Sequence, residues 1–224
     1  MRKVLRIGHR GAAGYAPENT LASIEKAISF GLDFVEVDVQ RTNDGHLVIL
    51  HDERVDRTTN GTGLVSEMPL RSLRKLDAGA GQGIPTLGEV LQTASGRIGL
   101  ILELKVQGLA AQTYKAVHRL AFTGPVIYAS FIHGEMRSIR EADPQALTIA
   151  LFGRLMKKTP GTVAQSVQAT HVGFNYKVVT KSLVETCHQR GLVVFVYTVN
   201  ERQDIQKQKS LGVDGIISDF PDRL

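Results

Sequence analysis

The chain has no tryptophan and only one cysteine, Cys187, among its 224 residues. A single thiol closes no intramolecular disulfide, so the fold must rest on its hydrophobic core, and it suits a reducing, cytoplasmic setting. No apolar run approaches the roughly 20 residues of a membrane span. The basic start MRKVLRIGHRG continues into an apolar run too short for a signal peptide, so no stable membrane insertion is expected. Long basic tracts are also missing: the clusters Arg71, Arg74, Lys75 and Lys157, Lys158 are short, and no aromatic residues interleave with them. The net charge of +5 therefore predicts a mild field favouring anionic small molecules, and no nucleic-acid partner. No linker and no internal repeat breaks the chain, which reads as one domain over residues 1–224. Nothing in the residues sets an oligomeric state.

What is present is a regular alternation. With 42% hydrophobic residues the chain can bury a sizeable core. Strand-like runs fall at Val4–His9, Phe34–Gln40, Ile98–Lys105, Val126–Ser130, Leu147–Phe152, His171–Phe174, Leu192–Val199 and Asp214–Ser218, with His46–His51 as a hairpin return. Helical spacing and caps fill the gaps. Leu21, Ile24 and Ile28 recur on one face before Gly31; Thr180 or Ser182 starts a helix that Gly191 ends; Asn200 is placed to cap one that Gly212 ends. About eight parallel strands with intervening helices predict an α/β fold of the (β/α)₈ TIM-barrel type. An open doubly wound sheet would want a glycine-rich phosphate loop after the first strand, and His9-Arg10-Gly11 is not one. Residues 52–83, rich in Gly, Thr and charge, interrupt the alternation after the second-strand hairpin. They read as a partly ordered, cap-like insertion over the barrel, with Leu70, Leu73 and Leu76 suggesting a packed helical turn.

In such barrels chemistry collects at the C-terminal ends of the strands. Along FVEVDVQ, Glu36 and Asp38 share one face and the valines the other; in RIGLILELK, Glu103 and Lys105 share a face opposite the leucines. Three buried carboxylates at one rim demand a cation. An all-oxygen set suits Mg²⁺, Ca²⁺ or Mn²⁺, while ion pairs such as Glu103 with Lys105 or Asp38 with Arg10 are the structural alternative. His9 and His51 stand at strand ends beside this cluster and can serve as general acid and base, or simply hydrogen-bond a carboxylate. Arg10 and Lys105 add a phosphate clamp. If Asp44-Gly45 forms a two-residue turn, Asp38 lies opposite His51. A three-residue Asn43-Asp44-Gly45 loop with a bulge shifts that register by one.

The ordered set Gly8-His9-Arg10-Gly11, Pro17-Glu18-Asn19-Thr20, VEVDV with its TNDG turn, His51-Asp52, IPTLGEVL at 84–91, Glu103-Leu104-Lys105, Ser130-Phe131, Tyr197-Thr198-Val199-Asn200 and VDGIISDFP resembles the glycerophosphodiester phosphodiesterase family over nearly the whole chain. The resemblance implies hydrolysis of a small glycerophosphodiester, such as glycerophosphocholine or glycerophosphoethanolamine, to glycerol 3-phosphate and an alcohol. It implies His9 and His51 as acid and base, and Glu36, Asp38 and Glu103 around one divalent ion, Mg²⁺ or Ca²⁺, with Mn²⁺ also admissible. Arg10 and Lys105 would engage the phosphate, with Phe131 and Tyr197 lining the substrate pocket. Residues 52–83 would be the family's small inserted subdomain. Tyr197 stands where the family usually carries Trp, which bears on the alcohol moiety. Attack by a glycerol hydroxyl or by water both fit, and either histidine can be the acid. A lysophospholipase D on the same barrel, and a non-catalytic glycerophosphate-binding protein, are the rival readings; the latter would not need both histidines.

Overall fold

The computed structural model describes residues 3–153 and 159–224; the Lys157, Lys158 cluster lies outside them. Nine strands occur among the described residues: β1 (Leu5–Gly8), β2 (Phe34–Arg41), β3 (Leu47–Ile49), β4 (Gly99–Leu104), β5 (Val126–Ser130), β6 (Leu147–Phe152), β7 (His171–Asn175), β8 (Val193–Tyr197) and β9 (Gly215–Ser218). All but β3 are parallel to their neighbours, and β1 pairs with both β9 and β2, which closes an eight-stranded (β/α)₈ barrel. Between them run α1 (Leu21–Ser29), α2 (Leu70–Leu73), α3 (Leu87–Ala94), α4 (Ala110–Arg119), α5 (His133–Ala142), α6 (Pro160–Ser166), α7 (Lys181–Gln189) and α8 (Arg202–Leu211). No helix among the described residues is long and apolar enough to cross a membrane.

Local chemistry starts these helices. Thr20 and Ser23 close a capping box on α1, and Thr86 with Glu89 closes one on α3, so orphan amides at both N-termini are satisfied. Thr180 caps α7. The valines of β2 and leucines of β4 face the helices, in a core shared with Ile24, Leu87 and Leu91. The alternate residues face the lumen, where Ile7, Phe34, Ile101, Ile127, Ile149 and Phe195 pack against each other. This is the filled interior expected of a barrel of this size.

The hairpin corrects one expectation. Val39 pairs with Ile49 and Arg41 with Leu47, and the Leu50 amide donates to the Asp38 carbonyl at 3.0 Å. Asp38 therefore lies opposite Leu50, not His51. The turn is the three-residue loop, with Gly45 at φ +84° in the left-handed region that favours glycine. The insertion decides between the two turns. The Asn43 side chain donates to the Glu67 carbonyl at 2.9 Å, and the Asp44 carboxylate accepts the Leu70 amide at 3.1 Å. Both bonds hold the longer loop open. The insertion is ordered around a small core of its own, in which Val55, Val65 and Leu73 pack on Val48 and Leu50 of the hairpin. Leu73 of α2 is fully buried there, as the leucine spacing suggested.

Candidate active site

The three carboxylates meet. Glu36, Asp38 and Glu103 each offer an oxygen within 4.8 Å of the others. Register explains it: Asp38 pairs directly with Glu103 across β2 and β4, and Glu36 lies one lumen-facing step below Asp38 on the same strand. Glu36 and Asp38 are buried, at 5% and 1% exposure.

The surrounding cations do not neutralise the cluster evenly. Lys105 Nζ lies 2.7 Å from Glu103 Oε1 and 3.2 Å from Asp38 Oδ1, and Arg10 Nε lies 3.4 Å from Asp38 Oδ2. Both ion pairs weighed from the sequence are thus present. Asn19 adds a two-way clasp: its Nδ2 donates to Asp38 Oδ2 at 2.8 Å, and its Oδ1 accepts the Asp38 amide at 3.2 Å. Burial works against the charge on Asp38, but Lys105, Arg10 and His51 together outweigh it and hold its pKa low. Glu36 is served least. Its Oε2 accepts the Arg10 amide at 3.0 Å, while Oε1 is buried with no hydrogen-bond partner. Burial, and then repulsion from Asp38, push its pKa up to about 8. Burial and the same neighbour raise Glu103 too. Buried like charges with an orphaned oxygen fit a hard divalent cation, since extra positive charge and an oxygen-seeking ligand are what the cluster lacks.

The loop after β1 brings His9 and Arg10 to the same rim. Arg10 is left-handed at φ +50°, and Gly11 follows at φ +90°, where any side chain would run into Ser23. A non-glycine residue there is strained, and the surroundings hold it: the Arg10 carbonyl accepts the Asn19 amide at 2.9 Å and Ser23 Oγ at 2.8 Å. The chain reversal aims the guanidinium back over Asp38, and Arg10 Nη1 donates to Glu18 Oε1 at 2.7 Å.

Each histidine has its own carboxylate. His9 Nδ1 is 2.6 Å from Asp219 Oδ1, and Asn200 Nδ2 donates to the other oxygen of Asp219 at 2.7 Å. His51 Nδ1 is 2.6 Å from Asp52 Oδ1. Bonding at Nδ1 assigns the proton to that nitrogen when the ring is neutral and leaves Nε2 for the site. His9 Nε2 lies 4.0 Å from Glu36 Oε2. Burial opposes charge on His9, but Asp219 and Glu36 more than offset it and raise its pKa above 6.5. Burial keeps His51 below 6.5, with Asp38 and Asp52 offsetting only part of it. Gln40 anchors this corner by donating to the carbonyls of His51, at 3.3 Å, and Asp52.

Across the mouth, Phe131 stands edge-on to Tyr197 with ring centroids 6.1 Å apart, and the Tyr197 hydroxyl donates to the Phe152 carbonyl at 2.7 Å. Beneath His9, Glu36 and Glu103, Ile101, Ala129, Ile149 and Leu151 line a cavity of about 30 Å³. That is room for about one water, so the floor is closed.

Sequence reasoning assigned no role to Asp219, Asp52, Asn19 and Gln40, although the first three lie within the motifs it singled out. Asp219 was the accessible one: it follows Ser218 at the end of β9, and the strand-end rule that selected His9 applies equally there. Asn200 was expected to cap α8. Glu201 takes the N-cap position without a side-chain bond, because Asn200 is engaged by Asp219 and by Ser218, whose Oγ donates to Asn200 Oδ1 at 3.1 Å.

The pattern that defines the glycerophosphoryl diester phosphodiesterase family matches residues 9–223. A glycerophosphodiester phosphodiesterase of Caldanaerobacter subterraneus subsp. tengcongensis is 38% identical, covering 99% of this chain and 96% of its own. One from Bacillus subtilis is 31% identical over 98% and 85% of the two chains. Among solved structures, an Oleispira antarctica phosphodiesterase in complex with the product sn-glycerol-3-phosphate superposes with a TM-score of 0.89 at 30% identity, covering 97% of this chain and 93% of that one.

Proposed function

The chain belongs to the glycerophosphoryl diester phosphodiesterase family and hydrolyses glycerophosphodiesters; from that premise we propose that His9 and His51 are its acid–base pair and that Glu36, Asp38 and Glu103 are its metal ligands. The observation that carries this reading is the pairing of two imidazoles, each held at Nδ1 by a carboxylate at 2.6 Å, with an acidic cluster that keeps one buried oxygen unpartnered. Glu36, Asp38 and Glu103 would hold a divalent ion, Mg²⁺ or Ca²⁺ with Mn²⁺ admissible, and it would supply Lewis-acid charge for the phosphate and the attacking hydroxyl. Arg10 and Lys105 bind the phosphate oxygens, since both cations already face the rim from two sides of Asp38. One histidine takes the proton of the attacking hydroxyl at Nε2, and the other returns a proton to the leaving alcohol. Phe131 and Tyr197 form the aromatic wall on the substrate's far side.

The substrate is a small glycerophosphodiester such as glycerophosphocholine or glycerophosphoethanolamine, and glycerol 3-phosphate is a product. The chain acts as one catalytic domain in which residues 52–83 cap the mouth and narrow the alcohol side. The insertion starts next to His51 and is tied to the hairpin, which supports that role. A single buried cysteine supports action in the cytoplasm. Phosphate-ester and alcohol release from a panel of glycerophosphodiesters and lysolipids, with and without chelator, tests the reading. Turnover of lysolipids in preference to glycerophosphocholine would move it to a lysophospholipase D. Full turnover after exhaustive chelation would remove the metal.

A further inference from the structure

Arg57 lies inside the insertion and bridges two carboxylates at once. Its Nε donates to Asp52 Oδ2 at 2.6 Å and its Nη2 to Asp52 Oδ1 at 3.2 Å. On the other side Nη1 donates to Glu18 Oε2 at 2.9 Å and Nη2 to Glu18 Oε1 at 2.7 Å. Each carboxylate is also committed elsewhere. Asp52 Oδ1 holds His51 Nδ1, and Glu18 Oε1 accepts Arg10 Nη1, both described above. A continuous chain therefore runs from His51 through Asp52, Arg57 and Glu18 to Arg10.

We propose that Arg57 is a positioning residue for the reaction: through Asp52 it orients His51, and through Glu18 it orients Arg10, so that the insertion sets the distance between the acid–base and phosphate-binding arms. The inference rests on the roles given above to His51 and Arg10. It follows from the shape of the guanidinium, whose planar fork of five N–H donors serves two carboxylates bidentately, which an ammonium cannot do. The Arg57 guanidinium stands between Asp52 and Glu18 and donates to both. Without it two like charges share one small region and separate. As they move, His51 loses its hold at Nδ1 and the Arg10 guanidinium loses the carboxylate to which its Nη1 donates. The Glu18 side of the bridge is stiff, because neighbouring Asn19 is left-handed at φ +58° and clasps Asp38. Ordinary exposed ion pairs add little to stability, so the signature of this one is kinetic.

Steady-state turnover of glycerophosphocholine at saturating divalent metal tests it. Misplacing an orienting group typically costs about 10–100-fold. Arg57→Ala should lower kcat by about that factor and also raise KM. Asp52→Asn should reproduce mainly the kcat loss, and Glu18→Gln mainly the KM rise. In a His51→Ala background, Arg57→Ala should change kcat by about twofold or less, because the two act in series. Added guanidinium ion should restore part of the activity of Arg57→Ala and none of that of Asp52→Asn. Arg54→Ala, which removes only the exposed pair with Asp56, is the matched control. Wild-type kcat and KM in Arg57→Ala would overturn the inference, as would a kcat loss undiminished by the His51→Ala background. Should Arg57→Ala lower thermal stability markedly, Arg57→Lys carries the test: it keeps the charge without the fork, and wild-type kinetics from it would count against the proposal. Full turnover by His51→Ala alone would refute the acid–base reading, whereas an inactive His51→Ala beside a wild-type Arg57→Ala would refute only the bridge.

Discussion

The two arcs of the barrel rim are built from the same alternation and end differently. On β2 the lumen-facing series runs Phe34, Glu36, Asp38, and on β4 it runs Ile101, Glu103. On β5 and β6 the corresponding series, Ile127, Ala129 and Ile149, Leu151, stay apolar up to the mouth. A single step of two residues, about 6–7 Å along a strand, thus turns packing into chemistry on one arc and not on the other. The apolar arc and floor withhold water from one side of the acidic cluster. In that low-dielectric setting the cluster's charges interact more strongly with each other and with any cation or phosphate brought to them. Position within the lumen, rather than residue type alone, gives Glu36 its raised pKa: it lies one lumen-facing step before Asp38 and Glu103, and no lysine or arginine side chain among the described residues forms an ion pair with it.

Removing the ion asked for by the charged arc should have the largest effect. Chelation is expected to abolish turnover, and Mg²⁺, Mn²⁺ or Ca²⁺ to restore it; activity surviving exhaustive chelation would make the cluster an ion-pair network only. Next in size are the histidines. General acid–base groups contribute about 10²–10⁴-fold, so His9→Ala and His51→Ala should each lower kcat by at least about 10²-fold. Metal titrations of both variants should shift less than that of Glu36→Gln. The variant lacking the acid should be rescued selectively by nitrophenyl esters, whose leaving group needs no proton, and this comparison assigns the two roles.

A smaller effect is expected at the opposite end of the lumen, where His171 packs edge-on to Phe195 and is buried. Burial, opposed only in part by Asp214 and Thr148, lowers its pKa to about 4. An unfolded histidine binds its proton near 6.5, so between those values the unfolded chain takes up a proton that the folded barrel refuses. The stability this neutral histidine contributes is complete above the unfolded pKa and is lost as pH falls toward about 4. At about 1.36 kcal/mol per unit the loss reaches at most about 3 kcal/mol. Denaturant unfolding of His171→Asn from pH 7 to 4 should show a flatter acid limb than the parent; parallel curves would mean other groups set it.

The smallest expected effect has the opposite sign. With its pKa pushed up to about 8, Glu36 takes up a proton when the metal-free chain folds near neutral pH; Glu36→Gln removes that cost, so the variant should be more stable than the parent in chelator, by at least about 1 kcal/mol. It should also lose most of the rise in Tm that metal gives the parent. A lower Tm in chelator would show that Glu36 stabilises the barrel through its charge.

Much of this was legible in the chain. All eight barrel strands, the hairpin, the ordered turn in the insertion and the rim position of His9, Arg10, Glu36, Asp38, Glu103 and Lys105 follow from patterns spanning a few residues. Side chains alternate along a strand, caps act within a turn of helix, and strand ends set the rim, so local sequence suffices for each. What the sequence could not determine depended on distant segments competing for the same groups. The hairpin register was one residue from its simplest form because Glu67 and Leu70, outside the hairpin, engage Asn43 and Asp44. Asn200 left its helix cap because Asp219, nineteen residues away, offered its side chain a charged partner. The partner of His9 comes from the far end of the chain, 210 residues on, and Arg57 meets Glu18 across 39. Hydrogen bonds to charged groups are directional and short-ranged, so which pairs form is decided only when barrel closure brings β9 beside β1 and the folded insertion carries Arg57 to Glu18.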